Sequence, residues 1–265
     1  MDALSLRDRV FLYGDGLFET IVVTQGHPVW LDLHLERLSL GAERLRIVFD
    51  QQQLRNFVDQ QIASISAPHS VLRLTLSRGV SERGYLPPRE LSANFFASCN
   101  ELPQSPAHIA PPMTLATSTV ALAEQPALAG IKHCNRLEQV LGALDARDQG
   151  VDEVLMATED GLIQCTSRHN VFVVCGDRIL TPPCERSGIL GTRRRVLLEI
   201  LAPAMGVTVS VQPIHKDELN EIDGVFVTNA IDGIRAVSHL NDRALQTPDI
   251  VVSLQGAYLH AMAES

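Results

Sequence analysis

Apolar positions along the chain keep two periods, and a change of period marks the end of an element. Residues 19–24 and 29–31 flank Gln25-Gly26-His27-Pro28, which predicts a hairpin. Leu31, Leu35, Leu38, Ala42 and Leu45 then recur at helical spacing and predict an amphipathic helix over 32–46, with a second over 51–65. Val71, Arg73 and Thr75 alternate with Leu72, Leu74 and Leu76, the pattern of a strand with one buried face, and ANFFASC at 93–99 predicts another strand. Further on, Leu137, Val140, Leu141 and Leu144 mark a helix over 136–149. Strands follow at 153–157 and 171–175, a helix runs from near Leu190 to 202, and strands occupy 207–212 and 224–229. Helices and strands mix without strict βαβ alternation, so the fold class is α+β. Four prolines in LPQSPAHIAPP disfavour helix and sheet, which predicts a linker over 103–112 between domains at 1–102 and 113–265.

Composition narrows the picture. The chain has 265 residues, 45% hydrophobic and 20% charged, enough apolar content for a sizeable core. A net charge of −9 argues against a nucleic-acid partner or a polybasic membrane contact. Five scattered cysteines show neither a disulfide framework nor zinc spacing, so no metal is expected. MDALSLRDRV lacks the pattern of a secretory signal and no apolar run approaches a membrane span, which points to a cytoplasmic protein. Of 22 basic residues only Lys132 and Lys216 are lysine. Codon bias accounts for the excess of arginine, but arginine cannot form a Schiff base, so amine chemistry has two side-chain candidates.

Lys132 has small apolar flanks in ALAGIKHCN (127–135), and its nearest acid is Glu138. Desolvation there lowers an amine's pKa, as a nucleophilic amine requires; a snorkelling surface lysine requires nothing. Lys216 lies in the compensated stretch His215-Lys216-Asp217-Glu218, which reads as a solvated helix start, so Lys132 is the better candidate. Residues 187–195, SGILGTRRR, lead into a predicted helix. Three arginines in a first turn oppose the helix macrodipole; an anion bound there would remove the conflict, with Gly188 and Gly191 letting backbone N–H groups approach. A solvated basic turn explains the same residues. Tyr13-Gly14-Asp15-Gly16 reads as a tight turn before a strand, and the loop from Ser77 to Tyr85 carries arginines suited to carboxylates or simply to solvent.

Taken together, YGDGLFET at 13–20, HLERL at 34–38, SRG…RGY at 77–85, IKHCNRLEQVL at 131–141, GILGTRR at 188–194 and VTNA at 227–230 resemble the class IV (fold-type IV) pyridoxal-phosphate enzymes in order and spacing. That group includes branched-chain aminotransferases, D-amino-acid transaminases and 4-amino-4-deoxychorismate lyases. The run Asn135-Arg136-Leu137-Glu138-Gln139 after the lysine resembles the lyase branch. The resemblance implies a smaller N-terminal α/β domain, a larger C-terminal domain with a mixed, barrel-like sheet, and a homodimer. It implies Lys132 as the covalent anchor of pyridoxal phosphate and Arg37 on the phosphate, joined by Gly191, the amides of Thr192 and Arg193, and Asn229 and Ala230. Tyr13 and Phe18 would line the substrate side, Arg83 and Tyr85 would hold substrate carboxylates, and Asn135 and Arg136 would lie near ring or substrate. The implied activity forms 4-aminobenzoate and pyruvate for folate synthesis; the alternatives are an aminotransferase for D-amino or branched-chain acids, or a diverged relative with altered or lost activity.

One position departs from the family. Its glutamate for the pyridine nitrogen stands five residues before the asparagine of the SN(I/L)F segment; here that position is Cys165, with Gln164 before it. Strand alternation points Gln164 away unless the register slips. Either elimination proceeds with a weaker electron sink, or another acid such as Glu153 or Glu159 is recruited, or activity has changed.

Overall fold

The computed structural model describes residues 5–265. Near its start Asp8 caps a five-residue helix, α1 (Arg9–Tyr13), by accepting from Val10 N, and Gly14 ends it at φ 63°. Five residues are too few for a helical period to be read from sequence. The strand β1 (Gly16–Thr24) turns through Gln25-Gly26 into β2 (His27–Pro28). The hairpin is therefore shorter than its sequence pattern: 29–31 are not a strand, because Trp30 takes φ 52° and Leu31 already opens a helix.

That helix, α2 (Leu31–Leu45), packs on β1 and buries Leu31, Leu38 and Ala42. The next, α3 (Gln51–Ala63), is capped by Asp50 and buries Leu54, Val58 and Ile62 at four-residue spacing. Strand β3 (His69–Ser77) pairs with β1 from Gly16↔Ser77 to Thr24↔His69 and with β4 (Asn94–Glu101) on its other side, giving the antiparallel order β2-β1-β3-β4. Leu72, Leu74 and Leu76 are fully buried, as their alternation predicts, each contributing about 1.5–3 kcal/mol.

The remaining elements are β5 (Met113–Thr117), α4 (Leu137–Gln149), β6 (Glu153–Ala157), β7 (Ile163–Thr166), β8 (Asn170–Cys175), β9 (Arg178–Thr181), α5 (Thr192–Val196), a π turn (Leu197–Leu201), α6 (Ala202–Ala204), β10 (Val209–Val211), a 3₁₀ turn (Lys216–Glu221), β11 (Gly224–Asn229), β12 (Gly233–Leu240), β13 (Arg243–Ala244) and α7 (Asp249–Ala263). Strands β8-β11-β12-β5-β6-β7 run in sequence and β7 pairs back to β8, closing a six-stranded barrel. It is mixed, with β5 parallel to both β12 and β6. Met113, Leu115, Leu155, Ile163, Val171, Val173, Val225, Val227 and Val237 belong to its apolar core. Sequence periodicity missed β5, β7, β9, β12, β13 and α7. Most of these strands are short, and buried strands lose the alternation that would reveal them.

Two helices differ from their sequence patterns in a telling way. The stripe Leu137, Val140, Leu141 and Leu144 that predicted α4 is exposed, whereas Gly142 and Ala146 face inward. Small residues let the helix approach the barrel so closely that a Cβ on Gly142 would collide with Met156. The helix expected from Leu190 begins at Thr192, and its middle widens into the π turn.

The chain separates into two units, one comprising Met1–Pro106 and Ile131–Asn135, the other Ala107–Gly130 and Arg136–Ser265. The lysine segment joins the first unit because it pairs with β1. Phe18 N donates to Lys132 O at 3.0 Å, Cys134 N donates to Gly16 O at 3.0 Å, and His133 bridges to Leu17. Among the described residues no helix is long and apolar enough to cross a membrane.

Candidate active site

In the first unit, pairing with β1 sets Lys132 over a buried aromatic. Its Nζ lies 4.4 Å from the centre of the Phe18 ring, and the guanidinium of Arg73 lies 4.0 Å from the same centre. Two cations on one ring make Phe18 a shelf for positive charge.

One turn of α2 carries a second cluster. Glu19, fully buried on β1, accepts from Arg37 through Nε (2.8 Å) and Nη2, while His34 Nδ1 lies 2.6 Å from the same carboxylate. Burial by itself would raise the Glu19 pKa, but the Arg37 charge and the His34 hydrogen bond outweigh it and bring it down to about 2. Glu19 therefore stays ionised and fixes Arg37. Sequence reasoning found Arg37 and missed Glu19 and His34. The available signal was a glutamate inside an otherwise apolar strand.

Arg9, equally unforeseen, organises the arginine loop. Buried at 3% exposure, it donates to Asp15 (2.7 Å), Ser81 Oγ (3.1 Å), Gly84 O (3.0 Å) and Tyr85 O (2.7 Å). Tyr13 accepts from Gly84 N at 3.0 Å, and its ring meets that of Tyr85 at 5.5 Å. Tyr85 and Arg83 themselves are exposed on this braced loop. Asn135 donates to Gly14 O at 3.1 Å, and any side chain on Gly14 would strike it, so Asn135 holds the turn that Tyr13 enters.

The second unit places the glycine turn and the end of β11 side by side through Arg193. This side chain is 1% exposed; it donates to Tyr258 Oη on α7 (3.1 Å) and to Ala230 O (3.4 Å). Burial raises the Tyr258 pKa against the pull of Arg193. The three arginines of the turn thus part company, which the picture of a solvated basic turn did not anticipate. Arg193 and Arg194 are buried, and only Arg195 reaches solvent, paired with Glu199. Burial lowers the Arg194 pKa.

Gly191 precedes α5 and has no room for a Cβ, which would collide with Asn170 Oδ1. Asn170 in turn donates to Ile189 O at 2.8 Å. At the β11–β12 turn, Asn229 accepts from Ile231 N (2.8 Å) and Asp232 N (2.6 Å). Asp232 accepts from Asn229 and meets buried His169 Nε2 at 2.7 Å, which ties this turn to the one joining β7 and β8. The His169 bond holds the Asp232 carboxyl below its usual range despite burial.

Cys165 packs among Ala116, Leu122, Ala146, Val154 and Met156, and burial, with neighbouring Cys184, pushes its thiol up to about 12. Of the acids considered as replacements, Glu153 is taken up by Ser167 Oγ (2.7 Å) and Arg168 Nε (2.6 Å), and Glu159 is exposed beside Leu122, Ala123, Glu124 and Asp160 around a cavity of about 400 Å³. Arg136 stands at the N-cap of α4, half-buried. Lys216 opens the 3₁₀ turn, exposed. In the second unit, the buried side-chain atoms without a hydrogen-bond partner include Gln164 Oε1, Ser187 Oγ, Arg194 Nε and Thr228 Oγ1. A protein leaves few such atoms unmatched without a use for them.

Residues 16–240 match the family described as amino-transferase class IV. An aminodeoxychorismate lyase of Vibrio harveyi is 30% identical over 243 residues, 89% of this chain and 87% of its own. A D-alanine aminotransferase of Listeria monocytogenes is 22% identical over 243 residues, 90% of this chain and 82% of its own. Among solved structures, 4-amino-4-deoxychorismate lyase from Pseudomonas aeruginosa superposes with a TM-score of 0.90 at 35% identity, covering 97% of this chain and 94% of its own.

Proposed function

The chain belongs to the class IV aminotransferases, a fold-type IV family of pyridoxal-phosphate enzymes, and on that premise we propose that it is a lyase forming 4-aminobenzoate and pyruvate from 4-amino-4-deoxychorismate. The observation that carries this reading is the likeness over 97% of the chain to a lyase of that specificity. The run from Asn135 to Gln139 after the lysine, which resembles the same branch, supports it.

The residues present fit the cofactor. A phosphate and a pyridine ring would offer partners to the kind of atoms left unmatched around the glycine turn and on β11 and β7, namely Ser187 Oγ, Arg194 Nε, Thr228 Oγ1 and Gln164 Oε1. In this reading Lys132 is the covalent anchor. Arg37, Gly191, Thr192, Arg193, Asn229 and Ala230 hold the phosphate, with the amides of 192 and 193 as donors. Pyridoxal phosphate, when bound, supplies the electron sink for a carbanion at the amine-bearing carbon. Lys132 Nζ, released as a neutral amine, takes the proton from that carbon. The bond from the ring carbon to the enolpyruvyl oxygen then breaks, and its electron pair leaves on that oxygen as the enolate of pyruvate. The enolate takes up a proton on its methylene carbon to give pyruvate, and aromatisation drives the step forward. Tyr13 and Phe18 line the substrate side. Arg83 and Tyr85 receive the two carboxylates from a loop whose backbone Arg9 fixes.

Incubating the protein with 4-amino-4-deoxychorismate is expected to release 4-aminobenzoate and pyruvate in equal amounts. An intact substrate, with amino transfer from D-alanine to 2-oxoglutarate instead, would establish the aminotransferase reading.

A further inference from the structure

The ladder between β6 and β7 is not regular. Leu155 pairs with Thr166 and Met156 with Cys165, but Ala157 pairs with Ile163, so Gln164 is an extra residue in β7. This is a β-bulge, which interrupts the alternation of side chains and re-aims the residue it inserts. The register slip that would free Gln164 from pointing opposite Cys165 is therefore present at this position.

Two further facts separate the neighbours. Cys165 is spent on packing among five apolar side chains, and a buried neutral thiol is a poor hydrogen-bond partner. Gln164 is also buried, at 6% exposure, yet its Oε1 has no partner. Leaving such an acceptor unmatched costs about 1–3 kcal/mol, a penalty that a ligand hydrogen bond would cancel. A line of paired residues shows where that ligand belongs. Cys165 pairs with Asn170 and Asn170 with Thr228, so the three sit in register across β7, β8 and β11. Asn170 is the residue packed against Gly191, and Thr228 Oγ1 is itself unmatched. Gln164 and Thr228 thus offer unmatched oxygens from the strands on either side of the residue that supports the glycine turn.

We propose that Gln164, delivered by the β7 bulge, is the side chain that contacts the pyridine nitrogen of the cofactor, and that this protein holds that nitrogen with a neutral amide. With its amide turned so that Nε2–H takes the place of the unmatched Oε1, Gln164 donates to the unprotonated nitrogen and supplies no negative charge that would fix a proton on it. The assignment rests on the family's cofactor and not on the lyase reading, and none of its tests reads turnover, so failure of the lyase assay leaves it standing.

The test is to load wild-type protein and variants with pyridoxal phosphate labelled with ¹⁵N in the ring. The cofactor Kd is then measured by absorbance titration and the ring-nitrogen resonance by NMR. Gln164→Leu is expected to raise the Kd at least tenfold and to shift the resonance. Cys165→Ala is expected to keep the Kd within twofold and the resonance in place. Gln164→Glu, nearly identical in shape, is expected to bind well and to move the resonance to the protonated position. A resonance that moves in Cys165→Ala but stays in Gln164→Leu overturns the proposal. Where Gln164→Leu does not fold, Gln164→Glu decides alone: an unmoved resonance there refutes the contact.

Discussion

Glu19 is a carboxylate with no route to water, held ionised by the arginine and histidine it positions. Replacing it by glutamine removes the buried charge that faces Arg37 and His34, and losing one partner of a buried pair costs about 3–5 kcal/mol. The loss is read as a lower midpoint in urea unfolding. The pH dependence has a fixed sign. The folded pKa, near 2, lies below the ordinary 4.5, so the stabilisation is complete above 4.5 and drains away as pH falls from there through 2. Glu19→Gln should flatten that acid limb; an unchanged slope would mean that other carboxylates carry it. Gly191→Ala tests a different kind of tightness. The added methyl must displace the Asn170 side chain and with it the bond to Ile189 O, so cofactor affinity should drop about tenfold, one lost hydrogen bond's worth. These residues explain why sequence showed only part of the chemistry. Lys132, Arg37 and Gly191 stand in recognisable strings, but Glu19, His34 and Arg9 act mainly through partners distant in sequence, as far as 76 positions for Arg9 and Tyr85, and no local pattern records such a distance.

Among the elements, α4 separates pattern from packing. Its leucines keep the helical period, and the helix exists where that period puts it, yet the face turned to the barrel is the one with Gly142 and Ala146. Periodicity reports which residues share a face and leaves open which face is covered. Leu141→Gln should therefore change stability by no more than about 0.5 kcal/mol, whereas Ala146→Leu should cost about 1–3 kcal/mol by overpacking against the barrel. Thermal melts of the two variants distinguish the cases, and the opposite ranking would mean that the leucine stripe is the buried one. Strand β3 shows the reverse situation. There the alternation and the burial agree at Leu72, Leu74 and Leu76, because one face of that sheet carries polar residues and the pattern has something to alternate with.

For the molecule as a whole, the scarcity of lysine makes its chemistry easy to map. A lysine-specific endoprotease should cut the unmodified chain after Lys132 and Lys216 into three fragments. After borohydride treatment of the cofactor-loaded protein, the first cut should vanish and the label should sit in a single piece spanning residues 1–216. A label that leaves the first cut intact, or one retained covalently by Lys132→Ala, would move the anchor elsewhere. The same scale holds the last consequence. The barrel closes where β7 meets β8, and across that seam one pair, Cys165 with Asn170, is in ladder register. The clasp of the hoop is thus also its working part, since Asn170 backs the glycine turn and Gln164 stands next to Cys165. A small molecule gripping both sides would fasten the hoop. Saturation a hundredfold above its Kd should add about 2.7 kcal/mol to unfolding. Amide exchange should slow most over 163–170, so the fit of the cofactor and the endurance of the fold rise or fall as one property.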